Sequence, residues 1–179
     1  MITDECTDID TEIYTDLGYA GKGGMKLGEG SVTCVIEKDS SAADRGAKRY
    51  AKIGGFSSCR DTSGDRFNNT RLSETALTKA IMNVLEEGGM QPSDISCIYG
   101  FGNGVEEIDN FEIEVYKKIF GDNIEVKLVK KDYGEARAAS SSLQFAKLAE
   151  DIHDGKFESG IAVSFGTSAL YSAILLTKA

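Results

Sequence analysis

The chain is 179 residues long, 41% hydrophobic and 27% charged, with a formal net charge of −9. That length accommodates one domain with a core of its own. The acidic balance excludes a nucleic-acid binder, whose affinity rests on clustered Lys and Arg, and disfavours docking on an anionic membrane.

Four cysteines, Cys6, Cys34, Cys59 and Cys97, are scattered without a C-x-x-C pair, and His153 is the single histidine. No metal site is expected from that inventory. A chain of this size that needs no disulfides fits a reducing compartment, and the acidic N-terminus does not resemble a signal peptide, so the expected location is the cytoplasm. The apolar segment from Gly160 to Leu176 carries Ser164, Gly166, Thr167, Ser168 and Ser172, which makes it too polar and too short for a membrane span.

Met1 to Leu17 is acidic with scattered apolar residues and predicts no clear element. Gly18 to Gly30 holds six glycines. No Gly-Lys-Ser/Thr follows at P-loop spacing, so the stretch reads as a tight loop where backbone passes close to backbone. Ser31 to Glu37 reads as a strand, Asp39 to Lys48 as a polar connection, and Tyr50 to Ser58 as a second strand broken at Gly54-Gly55. Cys59 to Arg71 is polar and loop-like. A helix opens at Ser73, a good N-cap. Leu77, Ala80, Ile81, Val84 and Leu85 recur at helical spacing, and Gly88-Gly89 ends it.

Pro92 to Asp94 reads as a turn and Ile95 to Tyr99 as a buried strand. Gly100-Phe101-Gly102-Asn103-Gly104 then leads into a helix with Ile108, Phe111, Val115 and Ile119 on one face. This imitates a dinucleotide fingerprint, but the third glycine falls at Val105, and Glu106-Glu107 would face the pyrophosphate. Asn123 to Val129 is the next strand. A helix from Glu135 to Asp151 follows, its opening carboxylate suiting the positive end of the helix dipole. Its first turns, Ala136, Ala138, Ala139, Ser140, Ser141 and Ser142, are small enough for another helix to approach closely. Two strands, Gly160 to Phe165 and Ala169 to Thr177, close the chain. The expected fold is therefore α/β: a mostly parallel five-stranded sheet, helices on both faces, and an antiparallel hairpin at its edge.

The local words in that order resemble the C-terminal part of a β-ketoacyl synthase of the thiolase fold. Leu27-Gly28-Glu29-Gly30 resembles the family's L-G-E-G stretch, and Asp44 to Tyr50 its R-G-A-x-x-Y-A segment. Ile95 through Gly121 lies without a gap on its strand, H-G-T-x-T turn and acidic helix. Asp109 and Glu112 fall on its N-D and A-E acids. Val126 to Ser141 lies on its V-x-S-x-K-x-x-x-G-H segment, and Ser164-Phe165-Gly166 resembles S-F-G-F-G-G. The resemblance divides the chain as one domain, with residues 18–59 ending a first thiolase half and 73–179 forming a second.

The resemblance also supplies roles. In the family a first-half cysteine takes the acyl chain, two histidines assist decarboxylation of a malonyl thioester, and a lysine orders the site. Here the nucleophile helix is expected to lie before the start of this sequence. Phe101 stands at the first histidine position, Glu135 at the second, and Lys130 at the lysine. Lys130 and Glu135 are thus a degenerate catalytic pair, or a plain ion pair across a turn. Phe101, Asn103, Phe165 and Gly166 line the expected substrate pocket. Asp109 and Glu112 are structural acids, with a helix-surface position as the plain alternative, and His153 is a surface residue.

Losing one preorganised donor to a developing anion costs roughly 2.7–4 kcal/mol. An ionised Glu135 about 4 Å from a malonyl carboxylate adds repulsion of about 4 kcal/mol at an effective dielectric of ~20. The chain's own site is therefore not expected to condense malonyl units.

The resemblance implies a non-catalytic subunit like a chain-length factor, in fatty-acid or polyketide assembly. Its partner would be an active ketosynthase or an N-terminal ketosynthase half, in a homo- or hetero-oligomer. No bound cofactor is expected, and acyl-carrier-protein or coenzyme A thioesters belong to the complex, with acyl carrier protein as a further partner. A split enzyme using Lys130 and Glu135 after complementation is the alternative. A binding module that kept the fold and lost the chemistry is the third. Within the small-residue helix, the Ala138 to Ser142 face is expected to await a helix from outside the chain.

Overall fold

Residues 1–21, 24–63, 72–166 and 169–179 are described by the computed structural model. Lys22 and Gly23 of the glycine stretch, residues 64–71 of the polar loop, and Thr167 and Ser168 between the last two strands lie outside the described residues.

The N-terminal segment, which composition alone left without an element, holds strand β1 (Ile2–Asp4) and helix α1 (Asp8–Asp16). The helix is set by a reciprocal cap. The Thr7 hydroxyl accepts from the Asp10 amide at 3.2 Å, and the Asp10 carboxylate accepts from the Thr7 amide at 3.0 Å. Strand β2 spans only Gly30–Val32, shorter than the expected Ser31–Glu37. It pairs with three-residue β1 alone, and backbone without a partner edge has no ladder to extend. The expected polar connection contains a short helix, α2 (Asp39–Asp44).

Strand β3 (Lys52–Arg60) runs through Gly54-Gly55, where a register shift forms a bulge instead of a break. Helix α3 (Glu74–Gly88) starts where the Ser73 hydroxyl accepts from the Ala76 amide and ends at Gly89, φ 65°. Strand β4 (Cys97–Tyr99), helix α4 (Glu106–Phe120), strand β5 (Glu125–Lys127) and the one-turn helix α5 (Lys130–Tyr133) follow. Helix α6 covers Ser140–His153, and strands β6 (Ser159–Gly166) and β7 (Leu170–Thr177) complete the chain.

The sheet has five strands in the order β3-β7-β6-β4-β5. It is mixed: β4 is parallel to β5 and β6, whereas β7 is antiparallel to both β6 and β3. The expected edge hairpin β6–β7 is therefore internal. The segment expected to end a preceding half, β3, is an edge strand of this same sheet.

Alternation along the strands sends side chains to two faces. Ile161, Val163, Ala173 and Leu175 meet Leu77, Ile81, Val84 and Leu85 of α3 and Val115 and Tyr116 of α4. Ala162 and Leu176, with Cys97 and Tyr99, meet Leu148, Ala149 and Ile152 of α6. Each fully buried Leu or Ile among them contributes roughly 1.5–3 kcal/mol.

Coverage on the α6 side is partial. A groove of about 470 Å³, lined by Ile2, Ile36, Phe56, Phe145, Ile174 and Ser142 among others, stays open there. Within the small-residue run, Ala139 and Ser140 are buried, while Ala138 and Ser141 remain exposed. Among the described residues, no helix is long and apolar enough to cross a membrane.

Candidate functional site

After β4 the chain turns through Gly100–Gly104 before α4 begins, and two carboxylates of α4 hold that turn. Glu112 has no solvent exposure, and it accepts hydrogen bonds from the Phe101 amide at 2.8 Å, the Gly102 amide and the Tyr116 hydroxyl at 2.8 Å. Asp109, one helical turn earlier, accepts from the Gly104 amide at 3.2 Å and pairs with Lys131 at 2.7 Å. Both acids are inside, so the helix-surface alternative does not hold. Burial pushes Glu112 up to about 7, against the donors from Tyr116, Phe101 and Gly102 that favour its anion. Gln144 of α6 anchors the same turn to β6, donating to the carbonyls of Gly100 and Val163.

The second turn follows β5. Gly134, φ 85°, ends α5, and Glu135 comes next in backbone contact with the glycine-rich segment. Its amide donates to the Lys26 carbonyl at 2.7 Å, and its carbonyl accepts from the Gly28 amide at 3.1 Å. Glu135 therefore does not open a helix. A 3-10 turn, Arg137–Ala139, separates it from α6, and Arg137 adopts φ 46°, where a non-glycine residue costs on the order of 1 kcal/mol.

Both oxygens of the Glu135 carboxylate are engaged. Lys130 Nζ lies 2.8 Å and Asn103 Nδ2 3.5 Å from Oε2, while the Arg137 amide donates at 2.9 Å and the Ser140 hydroxyl at 2.6 Å to Oε1. Ser140 Oγ in turn accepts from the Ala136 amide at 2.8 Å. The side chains of Lys130 and Glu135 are only 9% and 11% exposed, so this is a buried pair. Burial alone would raise Glu135. The charge of Lys130, with hydrogen bonds from Lys130, Ser140 and Asn103, outweighs it and holds the carboxyl below its ordinary value.

Of the predicted pocket residues, Asn103 joins this pair. Phe101 goes elsewhere, into the core with Phe165 and Tyr171 at ring-centroid distances of 5.3 and 5.7 Å. Gly166 pairs with Leu170 at the end of β6 and is in neither group. The open groove is lined by neither Lys130 nor Glu135. His153 is exposed, its Nδ1 3.0 Å from the Arg49 carbonyl, with its ring 5.0 Å from that of Tyr50.

Ser140, Arg137 and Lys26 were not legible as parts of this site. Their contacts arise from a left-handed residue and a strand-like bridge between segments far apart in sequence. The glycine stretch, in contrast, behaves as read. A side chain at Gly24 would strike the Gly104 carbonyl, and one at Gly28 the Tyr133 carbonyl, so backbone touches backbone at both turns.

The arrangement is poor in chemical groups. Glu135 is an anion whose two oxygens accept from four donors, and Lys130 Nζ is one of them. Burial pushes the Cys97 thiol up to about 12, which removes it as a nucleophile.

The family model described as "Beta-ketoacyl synthase, C-terminal domain" matches residues 50–163. The chain belongs to the β-ketoacyl synthase family. The tetracenomycin polyketide synthase ketoacyl synthase alpha subunit of Streptomyces glaucescens is 31% identical over 137 residues, covering 74% of this chain and 31% of that protein. The chain thus spans about a third of that curated relative. In fold it is similar to the ishigamide ketosynthase/chain length factor, with a TM-score of 0.90 and 17% identity over 99% of this chain and 52% of that one. It is similar also to a type II polyketide synthase acyl-carrier protein complex with its ketosynthase bound to the hexaketide, with a TM-score of 0.83 and 17% identity over 99% of this chain and 55% of that one. The ketosynthase neighbours share the thiolase-type α/β sheet described above.

Proposed function

We propose that this chain is a non-catalytic ketosynthase-like subunit, of the chain-length-factor kind, in polyketide or fatty-acid biosynthesis. The observation that carries the reading is the closure of Glu135 on Lys130. A carboxylate whose two oxygens accept from Lys130, Asn103, Arg137 and Ser140 has no free lone pair for a substrate proton. Its charge repels a malonyl carboxylate, and Phe101 at the first histidine position donates nothing from its side chain.

The open groove beside α6 supports a partner. So do Phe56, Ile36 and Val35, which are 57, 69 and 78% exposed. The occupant we propose is an active ketosynthase, or a chain supplying the remaining half. Acyl-carrier-protein or coenzyme A thioesters would be ligands of that complex.

Co-expression with a ketosynthase, and separately with an N-terminal ketosynthase half, tests the proposal. The expected outcome is a stable complex, with malonyl condensation absent from this chain alone. A monodisperse monomer with a fully protected core, forming no complex, would overturn it.

One observation favours a second reading. Lys130 stands at the family's lysine position and is held against Glu135 at 2.8 Å. In a split enzyme, Glu135→Gln and Lys130→Ala would each reduce acyl loading in the reconstituted pair. Unchanged turnover in both favours the non-catalytic subunit.

A further inference from the structure

Helix α1 lies on the molecule with its polar side inward. It buries no residue, and Ile9, Ile13 and Leu17 are 68, 49 and 61% exposed. Its inner side presents Asp10 and Tyr14, both partly buried. Apolar packing of α1 therefore does not hold residues 1–17 down.

Apart from the β1–β2 ladder and Ile2 in the groove, the attachment is polar, and it converges on one guanidinium. Arg137 pairs with Asp4 at 2.5 Å and with Asp10, and it donates to the Glu5 carbonyl. The Ala138 amide adds a bond to Asp4 at 3.1 Å, and the Thr3 and Ser31 hydroxyls meet at 2.7 Å beside the short β1–β2 ladder.

The other end of the same residue touches the site. The Arg137 amide donates to Glu135 Oε1 at 2.9 Å, and the same residue holds φ at 46°. A left-handed arginine persists only where its surroundings over-determine it. The guanidinium supplies one anchor and the Glu135 carboxylate the other.

We propose that residues 1–17 form a latch clasped by Arg137, and that Arg137 transmits the latch's state to Glu135. When the clasp opens, the peptide joining Ala136 to Arg137 turns, which takes Arg137 out of its left-handed backbone and its amide away from Oε1. The Lys130–Glu135 pair then loosens toward solvent. This goes beyond the functional reading above, since it concerns how the pair is held whether or not the complex is catalytic.

Two combined measurements on the full chain test it: amide exchange of residues 1–17, and acylation of Lys130 by acetic anhydride, read by mass spectrometry. In Asp4→Asn with Asp10→Asn, strap exchange should rise about tenfold or more, as expected for lost charge-assisted bonds. Lys130 acylation should rise with it. Arg137→Gly separates the two effects, because glycine keeps the left-handed backbone but has no clasp. There the strap should open, while Lys130 acylation stays within about twofold of wild type.

A salt series on the unmodified chain needs no substitution and should raise both signals together, since the clasp is partly exposed to screening. Strap exchange unchanged by Asp4→Asn with Asp10→Asn, or indifferent to salt, overturns the latch. An opened strap with Lys130 acylation unchanged in the Asp variant, or equally raised in Arg137→Gly, overturns the transmission.

Discussion

Glu112 Oε2 lies 2.8 Å from the amide nitrogen of Phe101, so a helix carboxylate holds the turn that leaves β4. Because burial pushes Glu112 up to about 7, the folded state binds its proton more tightly than the unfolded chain does. Its contribution is greatest at low pH and is lost as pH rises from the ordinary carboxylate value through 7. The change is on the order of 3 kcal/mol at most. Denaturant titrations at pH 5 and pH 8 measure it. Glu112→Gln should flatten that window, whatever it does to absolute stability, and an unchanged slope would refute the assignment.

For the buried pair, removing one partner should cost more than removing both. Glu135→Ala leaves Lys130 as an uncompensated cation with its side chain 9% exposed, at a cost of about 3 kcal/mol. Lys130→Met combined with Glu135→Leu should cost clearly less than the sum of the single changes. A double-mutant cycle by urea unfolding reads the coupling, and strict additivity would contradict a buried ion pair.

Asp151 is another buried carboxylate, 1% exposed, set among Lys156 at 2.6 Å, Lys127 at 3.0 Å and the Tyr99 hydroxyl. Burial opposes its ionisation, but hydrogen bonds from Lys156, Tyr99 and Lys127 more than offset this and hold it well below the usual carboxylate range. Its stabilisation is present at neutral pH and is lost as pH falls below the unfolded carboxylate value. Asp151→Asn should cost about 3 kcal/mol at pH 7 and progressively less in acid, measured by thermal or urea unfolding.

Gly134 and Gly89 both have positive φ, 85° and 65°, yet they differ in surroundings. A Cβ at Gly134 would lie 2.7 Å from backbone atoms of Leu27 and Gly28, whereas one at Gly89 meets nothing within 4 Å. Gly89→Ala should cost about 1 kcal/mol from backbone conformation alone. Gly134→Ala should cost at least twice that and also disturb Glu135. Equal losses would mean that the second contact is relaxed away.

How much of this was legible depended on whether the deciding contact was local. Ser73 and Gly89 were readable as helix ends because an N-cap hydroxyl and a left-handed C-cap act within one turn. The α4 stripe of Ile108, Phe111, Val115 and Ile119 was readable for the same reason. The start of α6 was misplaced because Ala136 and Ala139 favour a helix, while Glu135 is tied to Lys26 and Gly28, distant in sequence. Strand β2 was overextended because a β-branched run carries no information about whether an adjacent edge exists. The pairing of Lys130 with Glu135 across a turn was open to the sequence, and their place in a site came from the family resemblance, but the bonds to Glu135 from Ser140 and Arg137 depended on a backbone turn that no residue type announces.

The contacts of Gly24 with Gly104 and of Gly28 with Gly134 also have a mechanical meaning. No side chain lies between these backbones to act as a compliant spacer. Residues 24–28 therefore splice the turn after β4 to the turn after β5, and a displacement of one must drag the other. Asn103 and Glu135, one on each turn, are carried as a single rigid body, so relaxation measurements should find them moving in phase.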